Sequence, residues 1–151
     1  MVPILPHSLR LLLFTFVLLG LPVTPAQAGC TRTPAHWSNK SGVAWPAPYS
    51  RTALFFSSGL TWQQVLDTPP HADNAYLILA HHAIAAMLSR ASGASAPFGV
   101  QAVLDHAGAW FAGGTTPASC GRACPTQRDW AGILDLYNSG NYPGAPPLCS
   151  S

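Results

Sequence analysis

The hydrophobic and polar positions follow a helical period most clearly between Asp73 and Gly93, in the stretch DNAYLILAHHAIAAMLSRASG. At about 100° per residue, the polar side carries Asn74, His82 and Ser89. The opposite, apolar side is formed by Tyr76, Leu77, Ala80, Ile84, Met87 and Leu88. Asp73 offers an N-cap carboxylate and Gly93 a left-handed C-terminal residue, so the pattern predicts a central helix over residues 74–91.

Three further segments show helical signals. Thr61-Trp62-Gln63-Gln64 is a capping box that starts a short helix. Pro97 suits the first position of another helix, which Gly113-Gly114 ends. The last helix runs from a cap near Thr126 to a stop near Gly140. We therefore predict an all-α fold of about four helices, packed irregularly around the central one.

Residues 31–59 are rich in proline and serine and sustain no helical period. Because large aromatic side chains are highly buried on average, we expect an irregular N-terminal wrap whose rings dock on the helical core. The alternative is a row of exposed rings that stack on sugar rings or another flat ligand. The candidate binding residues are Trp37, Asn39, Trp45 and Tyr49, to which we add His81 of the central helix.

Residues 1–28 have the pattern of a secretory signal peptide. Arg10 precedes an apolar core over Leu11–Leu21, and Ala26-Gln27-Ala28 forms an A-x-A cleavage site. We expect cleavage near Ala28 and a single small helical domain over residues 29–151, secreted, periplasmic or on the cell surface.

Two other interpretations of the N-terminus stay open. A lipoprotein signal would end at Cys30, although Gln27 stands where an aliphatic residue is expected. An uncleaved signal anchor is disfavoured because the apolar core is short. We expect no transmembrane span in the mature chain, because the central helix is short and interrupted by histidines.

The four cysteines, Cys30, Cys120, Cys124 and Cys149, form an even set in a chain expected to be exported. An oxidising compartment favours disulfides, and four cysteines allow three pairings. We favour Cys30 with Cys149, which ties the ends of the domain together, and Cys120 with Cys124, which closes a turn. Zinc on these thiols is the competing interpretation, and their spacing fits C-x-x-C knuckles poorly.

Composition and charge exclude several function classes. Hydrophobic residues make up 48% and charged residues only 8%, as in a compact domain, and the formal net charge is +2. Phosphate binding needs a stronger basic surface, so we expect no nucleic-acid partner. The five acidic residues are dispersed aspartates, so no paired-carboxylate hydrolase site is indicated.

Catalytic motifs are missing from the sequence, including the nucleophile elbow, the phosphate loop, HExxH and the dinucleotide fingerprint. The remaining candidates are histidines, and the alternative function is a metal-dependent or histidine-assisted enzyme that uses His81, His106 or His71. His81 lies at the seam of the central helix, so we expect a buried ring bonded to the N-terminal wrap. His82 lies on the polar side, and we expect no metal or other cofactor.

Several short motifs follow one another in a familiar order. They are Trp37, Asn39, Ala44-Trp45-Pro46, Val65-Leu66-Asp67-Thr68-Pro69, Leu79-Ala80-His81, Ile84-Ala85-Ala86, Leu134-Asp135, Tyr137-Asn138, Gly140 and Cys149. In this order the chain resembles a family of exported bacterial domains with an AWP opening, an LAHxxIAA helix and an LDxYNxG ending before a cysteine. It departs from the family at Lys40, where histidine is usual, and at His82, where glutamine is usual.

The resemblance implies export and a compact helical unit, and it implies no activity. Together with the missing motifs, it favours an exported, disulfide-stabilised helical module without enzymatic activity. We expect such a module at the cell surface or outside the cell, where its partner is an unknown macromolecule or glycan.

Overall fold

The computed structural model describes residues 29–39, 42–71, 73–120 and 124–150, so the predicted signal peptide lies outside the described residues. The helices in these ranges are α1 (Pro34–Ser38), α2 (Trp62–Asp67), α3 (Ala75–Ala91), α4 (Phe98–Ala112) and α5 (Pro125–Asn138), with a 3₁₀ turn at Pro117–Ser119. The all-α prediction is confirmed, with five α-helices in the described ranges instead of about four. None of these helices is both long enough and apolar enough to cross a membrane.

Helix α3 is the centre of the fold, because it contacts each of the other four helices and the 3₁₀ turn. It begins after Asn74, whose side-chain oxygen accepts a hydrogen bond from the backbone N–H of Leu77 at 3.0 Å. The expected cap was Asp73, and that prediction was wrong by one residue. Both side chains can cap a helix, and the backbone conformation decides which of them does. Gly93 follows the helix at a φ of +100°, as predicted.

Helix α1 corrects the prediction of an entirely irregular segment over residues 31–59. Pro34 occupies its first turn, where the fixed φ of proline suits a helix and the missing N–H costs nothing. Its buried residue is Trp37. A helix of five residues is too short to display a periodic pattern, which explains why the sequence did not reveal it.

Helix α2 begins with the predicted capping box. The hydroxyl of Thr61 accepts from the N–H of Gln64 at 3.2 Å, and the side chain of Gln64 accepts from the N–H of Thr61 at 2.8 Å. Two backbone donors that have no partner inside the helix are thereby satisfied.

Helix α4 starts one residue after the predicted position, and the N-cap of α5 is Cys124, two residues before the predicted cap Thr126. Pro97 precedes α4 instead of opening it, and Gly113 caps its end as expected. Helix α5 starts at Pro125, so Thr126 is already inside the helix and does not cap it. Proline at the first helical position explains the earlier start, because its φ is already helical.

Two buried side chains of α5 attach it to the rest of the fold. The hydroxyl of Tyr137 donates to the carbonyl of Ser95 at 3.0 Å. The amide of Asn138 donates to the carbonyl of His82 in α3 at 2.9 Å. Because both side chains are fully buried, these bonds fix the position of α5 against α3 and against the turn that follows α3.

The aromatic residues of the N-terminal wrap dock on the helical core, as expected. Phe55 is fully buried. Its ring centre lies 5.0 Å from that of Trp62 and 4.9 Å from that of Phe111, both in edge-on geometry. Such edge-to-face contacts are the favoured arrangement of aromatic pairs.

Both favoured cysteine pairs lie at disulfide distance. Cys30 and Cys149 are bonded, with Cα atoms 5.0 Å apart, and Cys120 and Cys124 are bonded, with Cα atoms 5.9 Å apart. Beside the first pair, Thr31 donates its N–H to Pro147 at 3.0 Å and accepts from Cys149 at 2.9 Å. The two ends of the domain are therefore held together by backbone hydrogen bonds as well as by the disulfide.

Candidate functional site

The two adjacent histidines of α3 line one cavity of about 400 Å³ between α1 and α3. Its other lining residues are Thr33, Pro34, Ala35, Ser38, Leu66 and Pro70. We call this cavity the α1–α3 pocket. Its size falls within the usual range for small-ligand sites, and its lining mixes apolar with uncharged polar side chains.

His81 is buried, with 8% of its surface exposed, and its Nε2 lies 2.8 Å from the carbonyl oxygen of Val65 and 2.9 Å from that of Thr68. Because two carbonyls can only accept, Nε2 carries the proton and Nδ1 is left as an acceptor. Burial lowers the pKa of His81, although the two carbonyls act in the opposite direction. His81 is therefore a neutral ring held in one tautomer.

The partner of His81 corrects one prediction. Burial and hydrogen bonding of the ring were expected, but the partner was expected in the N-terminal wrap. The carbonyls belong instead to the last turn of α2 and its C-cap, Thr68. Carbonyls at a helix C-terminus lack intrahelical partners, so they are natural acceptors for a buried N–H.

His82 was expected on the polar side of the central helix, and the structure places it in a half-buried position. Its side chain is 22% exposed, and its Nδ1 lies 3.7 Å from a carboxylate oxygen of Asp135. Nδ1 is buried and makes no hydrogen bond within the described part of the chain. Burial lowers the pKa of His82, while Asp135 raises it and His81 lowers it. No sequence pattern predicts this pairing, because Asp135 reaches His82 only through the packing of α5 on α3.

The predicted aromatic binding residues do not form an exposed strip. Trp37 is only 3% exposed. Trp45 is half-buried, donates its Nε1–H to the carbonyl of Trp37 at 3.1 Å and contacts Trp62 edge-on. Tyr49 is half-buried with its ring centre 5.0 Å from that of Trp62, and Asn39 is exposed at the end of α1. The rings face the core, so stacking on a flat ligand is not what this arrangement provides.

Arg51, which the sequence did not single out, organises this aromatic segment. Its guanidinium donates to the carbonyls of Trp37 at 3.2 Å, Asn39 at 3.0 Å and Val43 at 2.8 Å. It also donates to the side chain of Gln63. One arginine thereby joins α1, the following loop and α2, using the planar fork of donors that lysine lacks.

The other candidate histidines lie apart from the α1–α3 pocket. His106 is exposed and stacks on Trp130, with ring centres 5.9 Å apart, and His71 is exposed ahead of α3. Across the residues that the structure describes, no three His, Cys, Asp or Glu side chains form a group able to hold a metal ion.

A second histidine site lies next to the terminal disulfide. Arg32 and His36 are 3.3 Å apart, between Nη1 and Nδ1, and they line a cavity of about 220 Å³ with Cys149. Burial and the neighbouring Arg32 both lower the pKa of His36. All four cysteines are in disulfides, so no thiol is free for catalysis here or elsewhere.

Comparison of the chain with protein-family models, with curated proteins and with solved structures found no match. The geometry of the pocket is therefore the basis on which a function is assigned.

Proposed function

We propose that this chain is an exported, non-enzymatic binding module that holds an uncharged segment of a glycan in the α1–α3 pocket. The observation that carries the proposal is the absence of charge in the pocket. None of its lining residues is acidic, lysine or arginine, and burial favours the neutral form of both of its histidines. An ionic ligand would find no partner for its charge among these residues.

Hydrogen-bonding capacity in the pocket favours a ligand rich in donors. His81 presents only an acceptor nitrogen, because its Nε2–H is already used. The hydroxyl of Ser38 donates to the carbonyl of Ala35 at 3.0 Å, which leaves its oxygen free to accept. Sugar hydroxyls supply such donors, and the C–H face of a sugar ring suits the apolar part of the lining, Pro34 and Leu66.

Export is supported by the cysteine pairs, because disulfides persist in oxidising compartments. We propose that the leader over residues 1–28 directs the chain to the cell surface or beyond. We also propose membership of the exported bacterial family that the sequence resembles. In its support, His81 of the LAH motif hydrogen-bonds two carbonyls of the VLDTP motif. A relative that carries both motifs should show the same contact in its structure.

Titration calorimetry of the mature protein with soluble neutral and acidic polysaccharides tests the ligand assignment. We expect binding to a neutral polysaccharide and its loss in Ala35→Trp, which fills the α1–α3 pocket from an exposed position on α1. Ala109→Trp, at an exposed position on α4 outside the pocket, is the matched control and should bind like the parent. Unchanged binding in Ala35→Trp, or binding to acidic polymers alone, contradicts the proposal.

The second candidate is a histidine-assisted hydrolase, for which the placement of His82 beside Asp135 is the specific observation. A carboxylate next to Nδ1 can orient a histidine that acts as a general base through Nε2. Mass spectrometry of the bound glycan after long incubation separates the two candidates. An intact ligand supports the binding module, whereas cleavage that Asp135→Asn abolishes supports the hydrolase.

A further inference from the structure

Gly29, the first residue that the structure describes, lies against the C-terminal end of α3. Its backbone N–H donates to the carbonyl oxygen of Gly93 at 3.2 Å. Farther along, the N–H of Arg32 donates to the hydroxyl of Ser89, which is fully buried in α3, at 3.1 Å. With Cys30 bonded to Cys149, the segment 29–32 is fixed across the end of α3.

Position 29 has no room for a side chain. A Cβ atom built on Gly29 would collide with backbone atoms of Gly93 and Ala94, and it would lie 2.6 Å from the oxygen of Gly93. Gly93 itself needs to be glycine for a different reason, its φ of +100°. Two glycines therefore allow the backbones to approach this closely.

The end of α3 is also electrostatically suited to a positive charge. Gly93 and Ala94 close the helix with a Schellman pair of hydrogen bonds, to Arg90 at 2.9 Å and to Ser89 at 3.0 Å. The carbonyl end of a helix carries partial negative charge, which favours a nearby cation. The exposed side chain of Arg90 is the other positive group in this last turn.

We propose that cleavage of the Ala28–Gly29 bond by a signal peptidase creates an ammonium group that docks on the carbonyl of Gly93. The hydrolysis uses one water, which supplies the second carboxylate oxygen of Ala28 and two protons to the nitrogen of Gly29. The ammonium keeps the bond to Gly93, and this bond becomes charge-assisted. The processed terminus is thus a structural part of the domain. This inference rests on the proposed export and is independent of the proposed ligand.

The test uses the exported protein, whose intact mass identifies its first residue. A chain that starts at Gly29 contains two primary amines, its α-amine and Lys40, the one lysine in the sequence. An amine-reactive ester at limiting concentration, followed by peptide mapping, measures both rates. We expect the α-amine to react about tenfold more slowly in the folded protein than in urea, since a charge-assisted bond must open first.

Gly29→Ala should remove this protection and lower the melting temperature, because its methyl group meets backbone atoms that cannot move aside. Gly108→Ala, where a Cβ meets nothing within 4 Å, is the control and should keep the protection.

If the α-amine of Gly29→Ala is still labelled slowly, the inference is overturned. The same holds if the α-amine of the folded parent is labelled as fast as it is in urea. Neither result bears on the proposed export. A lipid-modified Cys30 as the first residue also overturns it. A chain retained with its leader intact contradicts both the inference and the proposed export.

Discussion

The guanidinium carbon of Arg51 lies 4.7 Å from the ring centre of Trp45, so the cation covers the face of the indole. The same guanidinium bonds three backbone carbonyls of the N-terminal segment. An arginine stacked on a ring and bonded to carbonyls fixes a segment that otherwise lacks regular backbone hydrogen bonds.

Arg51→Lys should lower the free energy of unfolding by about 2 kcal/mol or more, because an ammonium cannot reach the same carbonyls and stack on Trp45. Urea denaturation measures the change. Arg90→Lys, at an exposed position, is the control and should stay within about 0.5 kcal/mol of the parent. Equal effects of the two substitutions would show that the carbonyl contacts of Arg51 contribute no special stability.

His81→Ala should lower the free energy of unfolding by about 1 to 3 kcal/mol, because it removes the ring N–H that the carbonyls of Val65 and Thr68 share, and Val65 keeps only its 3.2 Å bond from the N–H of Thr68. His82→Ala should cost less, since among the described residues the Nδ1 of His82 makes no hydrogen bond that the substitution would remove. Thermal melting of both variants at pH 7.5 provides the comparison. A larger loss in His82→Ala would mean that its packing against α5 outweighs the hydrogen bonds of His81.

Stability should fall as the pH drops below about 6.5, the ordinary pKa of histidine. Burial lowers the pKa values of His81 and His82 in the folded chain, and burial and Arg32 lower that of His36. Between those lowered values and about 6.5 the unfolded chain binds more protons, so acid favours unfolding. Melting temperatures from pH 8 to pH 5 should show this slope.

His81→Gln tests the same effect in a single residue. Its melting temperature should fall less steeply below about pH 6.5 than that of the parent, because one titrating group is gone. Above about pH 7 the slopes of the two proteins should coincide, since His81 is largely neutral in both the folded and the unfolded chain there. Parallel slopes across the whole range would show that His81 does not contribute.

The two disulfides should differ in their contribution to stability. In the chain-entropy model the Cys30–Cys149 bridge, with a sequence separation of 119, is worth about 4 to 5 kcal/mol, and the Cys120–Cys124 bridge about 2 kcal/mol. We expect the double variant Cys30→Ser/Cys149→Ser to unfold at much lower urea than Cys120→Ser/Cys124→Ser. Non-reducing peptide mapping of the parent checks the pairing, and a peptide that links Cys30 to Cys120 or Cys124 would contradict it.

Two glycines of the C-terminal region should respond to alanine with opposite sign. Gly132 is an exposed residue in α5, where a Cβ meets nothing within 4 Å, so Gly132→Ala should stabilise by about 0.5 to 1 kcal/mol. Gly140 has a φ of +74°, and a Cβ there would lie 2.6 Å from the backbone nitrogen of Leu148. Gly140→Ala should therefore destabilise by more than about 1 kcal/mol, as urea denaturation can show.

Local signals in the sequence predicted the helices to within one residue at several ends. The capping box at Thr61 involves two residues only three positions apart, and the positive φ at Gly93 is one that glycine itself adopts readily. Helix α1 was not predicted, because a helix of five residues is too short to show a periodic pattern. The burial of Phe55 and Trp37 followed from the general tendency of large rings to be inside.

The class of the fold follows from the sequence, because periodicity, caps and turn glycines act over a few residues. The tertiary structure alone decided the surroundings of the candidate site. His81 bonds Val65, 16 residues away, and the carbonyl of His82 accepts from Asn138, 56 residues away. Such contacts depend on how α2 and α5 pack on α3, and no local pattern encodes them. For the same reason, the sequence does not predict the hydrogen bonds of Arg51. Its guanidinium donates to carbonyls that come together only when the N-terminal segment is folded.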